Sequence, residues 1–136
     1  RVEFALAEMD GEIYLVGGRG QDNEIFSDTH IFNPQKQNWR IGPPLPAPVS
    51  GGSLVKIQGN LHFLGGYTFM PNKTLASHYT LMPGDQRWQK MSDMPTPRHH
   101  AAAIGVDGKI IVIGGALGVG FYAFFTASDE VSIFTP

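Results

Sequence analysis

Residues 1–18 read RVEFALAEMDGEIYLVGG and residues 98–115 read RHHAAAIGVDGKIIVIGG, and these two segments align without a gap. Each contains an Asp-Gly pair between two short apolar runs, at Asp10-Gly11 and Asp107-Gly108. An Asp-Gly pair in this context is typical of a two-residue hairpin turn, because both turn residues adopt positive φ angles. Each segment therefore predicts two short antiparallel strands, the second of which ends at a pair of glycines.

A third copy of this pattern lies in the middle of the chain, which makes the sequence an internal repeat. Glycine pairs that end an apolar run stand 48 and 49 residues apart, at Gly17-Gly18, Gly65-Gly66 and Gly114-Gly115. Trp39 and Trp88 are separated by 49 residues in the same register. The agreement of these landmarks predicts three repeat units, the last of which lacks its fourth strand: 1–48, 49–97 and 98–136.

Each unit is expected to contain four short strands. The first strands are predicted at 4–9, 53–57 and 101–106, and the third strands at 29–33, 77–82 and 130–135. Second strands run directly into the glycine pairs, and fourth strands begin at the tryptophans. The second strands are apolar at successive positions, which predicts burial on both faces of a sheet. The first strands are rich in small residues, which suit the narrow inner edge of a wedge-shaped sheet.

Every 48 or 49 residues the sequence repeats a glycine pair after an apolar strand, then a proline turn and a tryptophan. This pattern resembles that of the kelch-repeat family of β-propellers. The resemblance covers the whole chain and implies an all-β fold of four-stranded blades around a central channel. The family most often has six blades, so these three repeats would form half of a six-bladed ring. The chain departs from the pattern at Val49, because the equivalent positions of the other two repeats, 1 and 98, carry Arg. The family includes ubiquitin-ligase adaptors, actin binders and bacterial sugar-active proteins, so the pattern specifies the fold and says little about function.

Composition excludes several classes of function. The net charge is −2 and no basic block is present, so the positive field that nucleic-acid binding requires is missing. The chain has no cysteine, which removes disulfides and thiolate nucleophiles. The uncharged stretch 110–127 contains four glycines and belongs in part to the repeat, so no membrane span is expected.

No cofactor or metal site is expected. The copper-radical oxidases that resemble kelch proteins need a Cys cross-linked to Tyr, and this chain has no Cys. The iron-binding pattern of nitrile-specifier kelch proteins begins at Glu24 and Asp28 but meets Phe32 where a His is required. His99 and His100 are adjacent, so on a strand they would point to opposite faces and could not hold one metal together.

The candidate functional surface follows from the order of the strands. In an antiparallel blade, the loops between second and third strands share one face, here called the loop face, with the linkers into the next first strand. These loops are long, at 19–27, 67–76 and 116–129, and long loops on a rigid scaffold often carry recognition. The candidate ligand-binding residues on the loop face are Arg19, Glu24, Tyr67, Arg98, His99, Phe121 and Tyr122.

Two parts of this surface could serve either the fold itself or the binding of a ligand. Arg98 is expected either to pair with a carboxylate or backbone carbonyl within the linker, or to contact a ligand. The aromatic segment 120–126, GFYAFFT, is expected to pack on a neighbouring blade, to form a subunit contact or to bind a ligand.

Two functions stay open at this point. The main hypothesis is a non-catalytic scaffold that binds a protein, a peptide or a carbohydrate through the loop face. The alternative is a sugar-active enzyme resembling bacterial kelch sialic-acid mutarotases, with its acid and base among the polar residues Asp22, Glu24, Asp28, Arg98 and His99. An open arc of three blades leaves an apolar face at each end, so we expect a homodimer that closes a six-bladed ring. An excerpt of a longer propeller chain is the alternative to the homodimer.

Overall fold

The computed structural model describes residues 1–120, 123 and 126–136. In this part of the chain three antiparallel sheets of three or four strands follow one another, and a two-stranded hairpin forms a fourth, smaller sheet. The first sheet, blade 1, has its strands in sequential order: β1 (Ala5–Met9), β2 (Glu12–Val16), β3 (Thr29–Asn33) and β4 (Asn38–Gly42). A short 3₁₀ turn at Gln21–Asn23 lies in the loop between β2 and β3.

Blade 2 follows the same plan with one addition. Its elements are β5 (Ser53–Ile57), β6 (Asn60–Leu64), β7 (Tyr67–Phe69), β8 (Asn72–Thr74), β9 (His78–Leu81) and β10 (Gln89–Lys90). The sheet has the order β5-β6-β9-β10, whereas β7 and β8 pair with each other as a separate hairpin. Blade 3 is a three-stranded sheet of β11 (Ala102–Val106), β12 (Lys109–Ile113) and β13 (Val131–Phe134).

This architecture confirms the predicted all-β fold with four-stranded blades. The fourth strand begins one residue before Trp39 in blade 1 and one residue after Trp88 in blade 2, rather than at each tryptophan. The hairpin of β7 and β8 was not expected, although aromatic and β-branched residues such as those at 67–69 favour extended backbone. The uncharged stretch 110–127 begins inside β12, and the described residues form no helix of the length and hydrophobicity that a membrane crossing needs.

The predicted two-residue turns are confirmed by their backbone angles. Asp10 and Gly11 have φ values of 53° and 78°, and Gln58 and Gly59 have values of 49° and 82°. The third turn, at 107–108, has values of 50° and 73°. Positive φ at both central residues matches the twist of the two strands that each turn connects. The turns therefore fix the register of the first two strands in each blade.

The three blades are stacked through their first strands, because β5 lies between β1 and β11. Blade 2 is therefore covered on both sides. Leu61 and Phe63 of β6 pack in the core shared with blade 1, whereas Leu64 packs in the core shared with blade 3. The second strand of blade 2 is buried on both faces, as its uninterrupted apolar sequence predicts.

The same prediction is wrong for the two outer blades, whose second strands are buried on one face only. Ile13 of β2 is 36% exposed and Ile113 of β12 is 47% exposed. Alternate residues of these strands face away from blade 2, and no described residue covers them. The uncovered surface of blade 1 is called the first end face (Leu6, Ile13, Trp39 and Ile41), and that of blade 3 the last end face (Ile104, Ile113, Val131 and Ile133).

The two tryptophans show how a covered blade differs from an uncovered one. Trp88 is 4% exposed, packs edge-on against Phe63 and donates a hydrogen bond from Nε1 to the Pro43 carbonyl at 2.9 Å. Trp88 thus packs between blades 1 and 2. Trp39, at the equivalent position of blade 1, is 57% exposed on the first end face.

The glycine pairs bring each linker close to the blade that precedes it. Gly65 has a φ of +64°, and a Cβ at this position would overlap the carbonyl oxygen of Arg98. The amide of Gly66 donates to the same carbonyl at 2.9 Å. The pair Gly17-Gly18 repeats this arrangement with the carbonyl of Val49. The glycines therefore allow the backbone of the linker to approach closely.

Gly105 on β11 provides a test of the close packing between blades 2 and 3. A Cβ at this position would overlap Cδ1 of Ile57 and would stand 3.0 Å from the carbonyl oxygen of Lys56. We expect Gly105→Ala to lower the free energy of unfolding by about 1–3 kcal/mol, the usual cost of overpacking a core. Chemical denaturation followed by circular dichroism measures this loss.

The control variant is Ile57→Val, which removes the Cδ1 atom that the new methyl group would meet. The double variant Gly105→Ala/Ile57→Val should lose less stability than the sum of the two single losses, because the overlap is relieved. Strictly additive losses would contradict a direct contact between Gly105 and Ile57.

Candidate functional site

The starts of the first strands and the long loops meet on the loop face and form a cavity of about 280 Å³. This cavity is called the inner pocket, and its polar and aromatic lining consists of Glu3, Arg19, Tyr67, Phe69, His99 and His100. These residues directly precede an innermost strand or follow a glycine pair. The order of the strands therefore brings together side chains from all three repeats.

Glu3 is the centre of a hydrogen-bond network in the inner pocket. Its Oε2 accepts hydrogen bonds from the Tyr67 hydroxyl and from Ser50 Oγ, the latter at 2.9 Å. Arg19 donates from Nε to Oε2 at 3.2 Å and from Nη2 to Oε1 at 3.1 Å. Burial acts to raise the pKa of Glu3, but the hydrogen bonds of Tyr67, Arg19 and Ser50 with the charge of Arg19 lower it to about 2. The carboxylate is therefore ionised at neutral pH.

Three residues at equivalent positions of the repeats have left-handed backbone, namely Glu3 (φ 56°), Gly51 (φ 67°) and His100 (φ 54°). Their main chains are joined, because Gly51 N donates to Glu3 O at 2.9 Å and His100 N donates to Gly51 O at 2.8 Å. This conformation is unfavourable for Glu and His, and such strain concentrates at functional sites. A Cβ on Gly51 would lie 3.0 Å from the His100 ring and 3.1 Å from the Tyr67 ring, so this glycine leaves space for both.

His99 and His100 contact each other, so the expectation that their side chains point to opposite faces is wrong. Their ring centroids are 4.9 Å apart and their Nδ1 atoms 2.6 Å apart. The reason is the left-handed φ of His100, because the opposite-face rule applies to extended strands. His99 is buried, and this burial lowers the pKa of its imidazole. Within the described part of the chain, no three His, Asp or Glu side chains are grouped so as to hold a metal ion.

The two candidates in the loop after β2 lie in different places. Arg19 lines the inner pocket, where it bonds to Glu3 and also donates to Asn23 Oδ1 at 3.1 Å. Its backbone is fixed by the amide, which donates to the carbonyl of Val2 at 2.8 Å. Glu24 is exposed and lies outside the pocket lining, where its carbonyl accepts a hydrogen bond from the Gly20 amide at 2.8 Å.

Arg98 adopts the structural alternative that the sequence left open. It is 1% exposed, and its guanidinium donates to the carbonyls of Gly114 at 3.2 Å and Glu130 at 3.1 Å. It also donates to Ser132 Oγ at 2.8 Å and lies 3.0 Å from the Glu130 carboxylate. Arg1 makes the equivalent contacts in blade 1, with a glycine-pair carbonyl and an acidic residue before the third strand. Arg98 therefore stabilises blade 3 from within and does not line the inner pocket.

Phe121 and Tyr122, the remaining candidates, lie outside the described residues. Glu3 and Ser50 were not singled out from the sequence, although Glu3 is the centre of the network. The signal that could have found Glu3 is its register, because positions 3, 51 and 100 are equivalent in the three repeats. A glycine at one of the three positions indicates that the backbone there is left-handed and that Glu3 and His100 are strained.

The lowered pKa of Glu3 predicts how a Glu3→Gln variant depends on pH. A group whose pKa is lower in the folded state stabilises the fold above its unfolded pKa and loses this effect as pH falls. At pH 7 we expect Glu3→Gln to lower the free energy of unfolding by about 2 kcal/mol, the contribution of hydrogen bonds to a charged group. The difference should shrink between pH 4.5 and pH 2, the range over which Glu3 is protonated first in the unfolded and then in the folded chain.

Urea denaturation across this pH range measures the difference, and Glu8→Gln is the matched control. Glu8 forms an exposed ion pair with Lys56 at 2.5 Å, and exposed pairs contribute little to stability. A Glu3→Gln variant as stable as the wild type at pH 7 would contradict the network.

The chain is similar in sequence to several known proteins. The profile of the Kelch motif matches residues 1–46. Kelch-like protein 35 of Mus musculus is 26% identical over 111 residues, and Kelch-like protein 41a of Danio rerio is 29% identical over 116 residues. Alpha-scruin of Limulus polyphemus is 23% identical over 141 aligned positions.

These alignments cover 82%, 85% and 100% of this chain, in the order given, but 18%, 19% and 15% of the three relatives. The chain thus spans less than a fifth of the length of each of these three relatives. The motif match, the similarity to these proteins and the repeated blades of the structure all agree. The first repeat thus matches the Kelch motif, and most of the chain is similar to proteins with kelch repeats.

Proposed function

We propose that the chain is a binding scaffold that recognises a protein or peptide partner through the inner pocket and the loop face around it. The observation that carries this proposal is the cluster of Glu3, Tyr67 and His100 at the pocket. Elsewhere the contacts between blades are made largely by apolar side chains, which stabilise without strain. Polar groups held in left-handed backbone beside a cavity are typical of recognition sites.

The size of the inner pocket favours a peptide over a larger ligand. Small-molecule sites usually have volumes of about 300–1,000 Å³, and the inner pocket has about 280 Å³. This volume suits one or two side chains of a partner. The long loops around it provide the additional contact area that a protein interface requires.

Binding is preferred over the opening of a sugar ring, because the polar groups of the pocket are engaged in hydrogen bonds with one another and the acidic candidates lie outside it or stay ionised. A sugar-active enzyme needs a group that gives up and takes back a proton near neutral pH. Glu3, with its pKa of about 2, stays ionised in this range. Arg98 is engaged inside blade 3, and Asp22 and Glu24 are exposed residues outside the pocket lining.

The proposal is tested with peptides selected from a displayed random library against the immobilised protein. Arg19→Met should weaken binding of the selected peptides at least tenfold, because it removes a charged group from the pocket and releases the Glu3 carboxylate. Fluorescence polarisation with labelled peptides measures the dissociation constants.

Arg40→Met is the matched control, because Arg40 also donates to a glutamate, Glu12 at 2.7 Å, but lies on the outer strand β4. Its affinity for the same peptides should equal that of the wild type. Peptides that respond to Arg40→Met and ignore Arg19→Met would show that recognition takes place elsewhere.

We also propose that a second copy of the chain covers the two end faces. The first end face is equivalent in position to the side of blade 2 that packs on blade 1, where Trp88 is buried. The last end face is equivalent to the side of blade 2 that packs on blade 3. Each copy therefore offers both halves of one blade contact, and two copies joined head to tail would close a six-bladed ring. Burial of both faces stabilises such a dimer by about 25 cal/mol per Å² of apolar area.

Light scattering tests the dimer, whose mass should be twice the 14.8 kDa of the chain. Trp39→Glu on the first end face and Ile133→Lys on the last end face should each give monomers, because each places a charge in both contacts of the ring. An equimolar mixture of the two variants should recover dimers, since the mixed dimer contains one unmodified contact. A wild-type chain that stays monomeric at micromolar concentration would contradict the dimer and favour further blades of a longer chain as the cover.

A further inference from the structure

The hydrogen-bond acceptors around His99 determine which of its nitrogens carries the proton. Nε2 of His99 lies 2.5 Å from the carbonyl oxygen of Gly118, which can only accept. Nε2 is therefore protonated. His99 is buried and its pKa is lowered by this burial, so the ring is neutral at pH 7 and Nδ1 carries a lone pair.

This assignment also determines which nitrogen of His100 donates a hydrogen bond to His99. The Nδ1 atoms of the two rings are 2.6 Å apart, so the Nδ1 of His100 must be the donor in this hydrogen bond. In the neutral ring the Nε2 of His100 then carries a lone pair. That atom faces Oε1 of Glu3 at 3.6 Å, and both are hydrogen-bond acceptors.

Among the described residues, the Glu3 carboxylate has one acceptor position left on this side. Within that part of the chain, its Oε2 accepts from Tyr67, Ser50 and Arg19, whereas its Oε1 accepts one hydrogen bond, from Nη2 of Arg19. The second lone pair of Oε1 is thus available to a donor placed between Glu3 and His100. The left-handed backbone of both residues and the hydrogen bonds through Gly51 hold the two acceptors in this arrangement.

We propose that the gap between Glu3 Oε1 and His100 Nε2 is a subsite for a primary ammonium group, such as a lysine side chain or a free N-terminus of the partner. An ammonium group donates to both acceptors at once and places its positive charge beside a carboxylate. The rings of Tyr67 and Phe69 line the same pocket and provide an apolar wall for the carbons that carry the ammonium. This inference rests on the proposed function, because it names the group of the partner that enters the inner pocket.

The test uses a single small probe, Nα-acetyl-lysine N-methylamide, and its Nε-acetylated form as the uncharged comparison. Binding to the wild-type chain is followed by the NMR signals of the histidine Cε1–H groups. We expect saturable binding of the amine at pH 7.5 and at least tenfold weaker binding of the acetylated probe.

His100→Gly is the decisive variant, because Gly occurs at the equivalent position 51 and adopts the same left-handed backbone. The change removes Nε2 and relieves strain, so the variant should be at least as stable as the wild type in a thermal melt. We expect it to bind the amine at least tenfold more weakly. His30→Gln, on the opposite side of blade 1 from blade 2, is the control and should bind the amine as the wild type does.

The inference would be overturned if the wild-type chain showed no saturable binding of the amine. It would also be overturned if the His100→Gly variant retained full affinity. Equal binding of the acetylated probe would also overturn it, since a single amide donor would then suffice. The proposed function fails by a different result, namely selected peptides that ignore Arg19→Met. Peptides that need Arg19 but contain neither a lysine nor a free amine would leave the scaffold standing and remove the ammonium subsite.

Discussion

The close approach between each glycine pair and the following linker is the contact on which the rest of this structure depends. Gly65 leaves no space for a side chain, and the Gly66 amide bonds to the Arg98 carbonyl. This contact fixes the end of one blade against the start of the next. His99 and His100 directly follow that linker, so their positions are set by the same contact. The inner pocket is therefore a consequence of how the blades are stacked.

The chain uses pairs of arginine and carboxylate groups in two different ways. Arg98 and Glu130 act inside one blade, where the guanidinium also binds main-chain carbonyls and holds the third strand to the glycine pair. Arg19 and Glu3 lie beside a cavity, and their network extends to Tyr67 and so joins two repeats. The chemistry is the same in both places. The two pairs differ in that the second one lies beside a cavity.

The repeats also show that the exposed fraction of a residue depends on the neighbouring blade as much as on the residue type. Trp88 and Trp39 occupy equivalent positions, yet the first is buried against blade 1 and the second is exposed. The same contrast separates Leu61 in blade 2 from Ile13 in blade 1. In a repeat protein each unit contacts only its neighbours, so the stability of a terminal unit depends on what covers its free face. The apolar end faces are therefore the part of this chain most sensitive to its assembly.

The sequence by itself determined the repeat, the hairpin turns and the approximate bounds of the strands, because turn geometry and apolar patterns are local properties. It also predicted the loop face and three residues of the inner pocket, Arg19, Tyr67 and His99, from the order of strands in a blade. Only the tertiary structure decided that Arg98 is internal and that Glu3 is the centre of the network. Glu3 bonds to residues 47 and 64 positions away, and such partners depend on how whole blades stack, which no local pattern encodes.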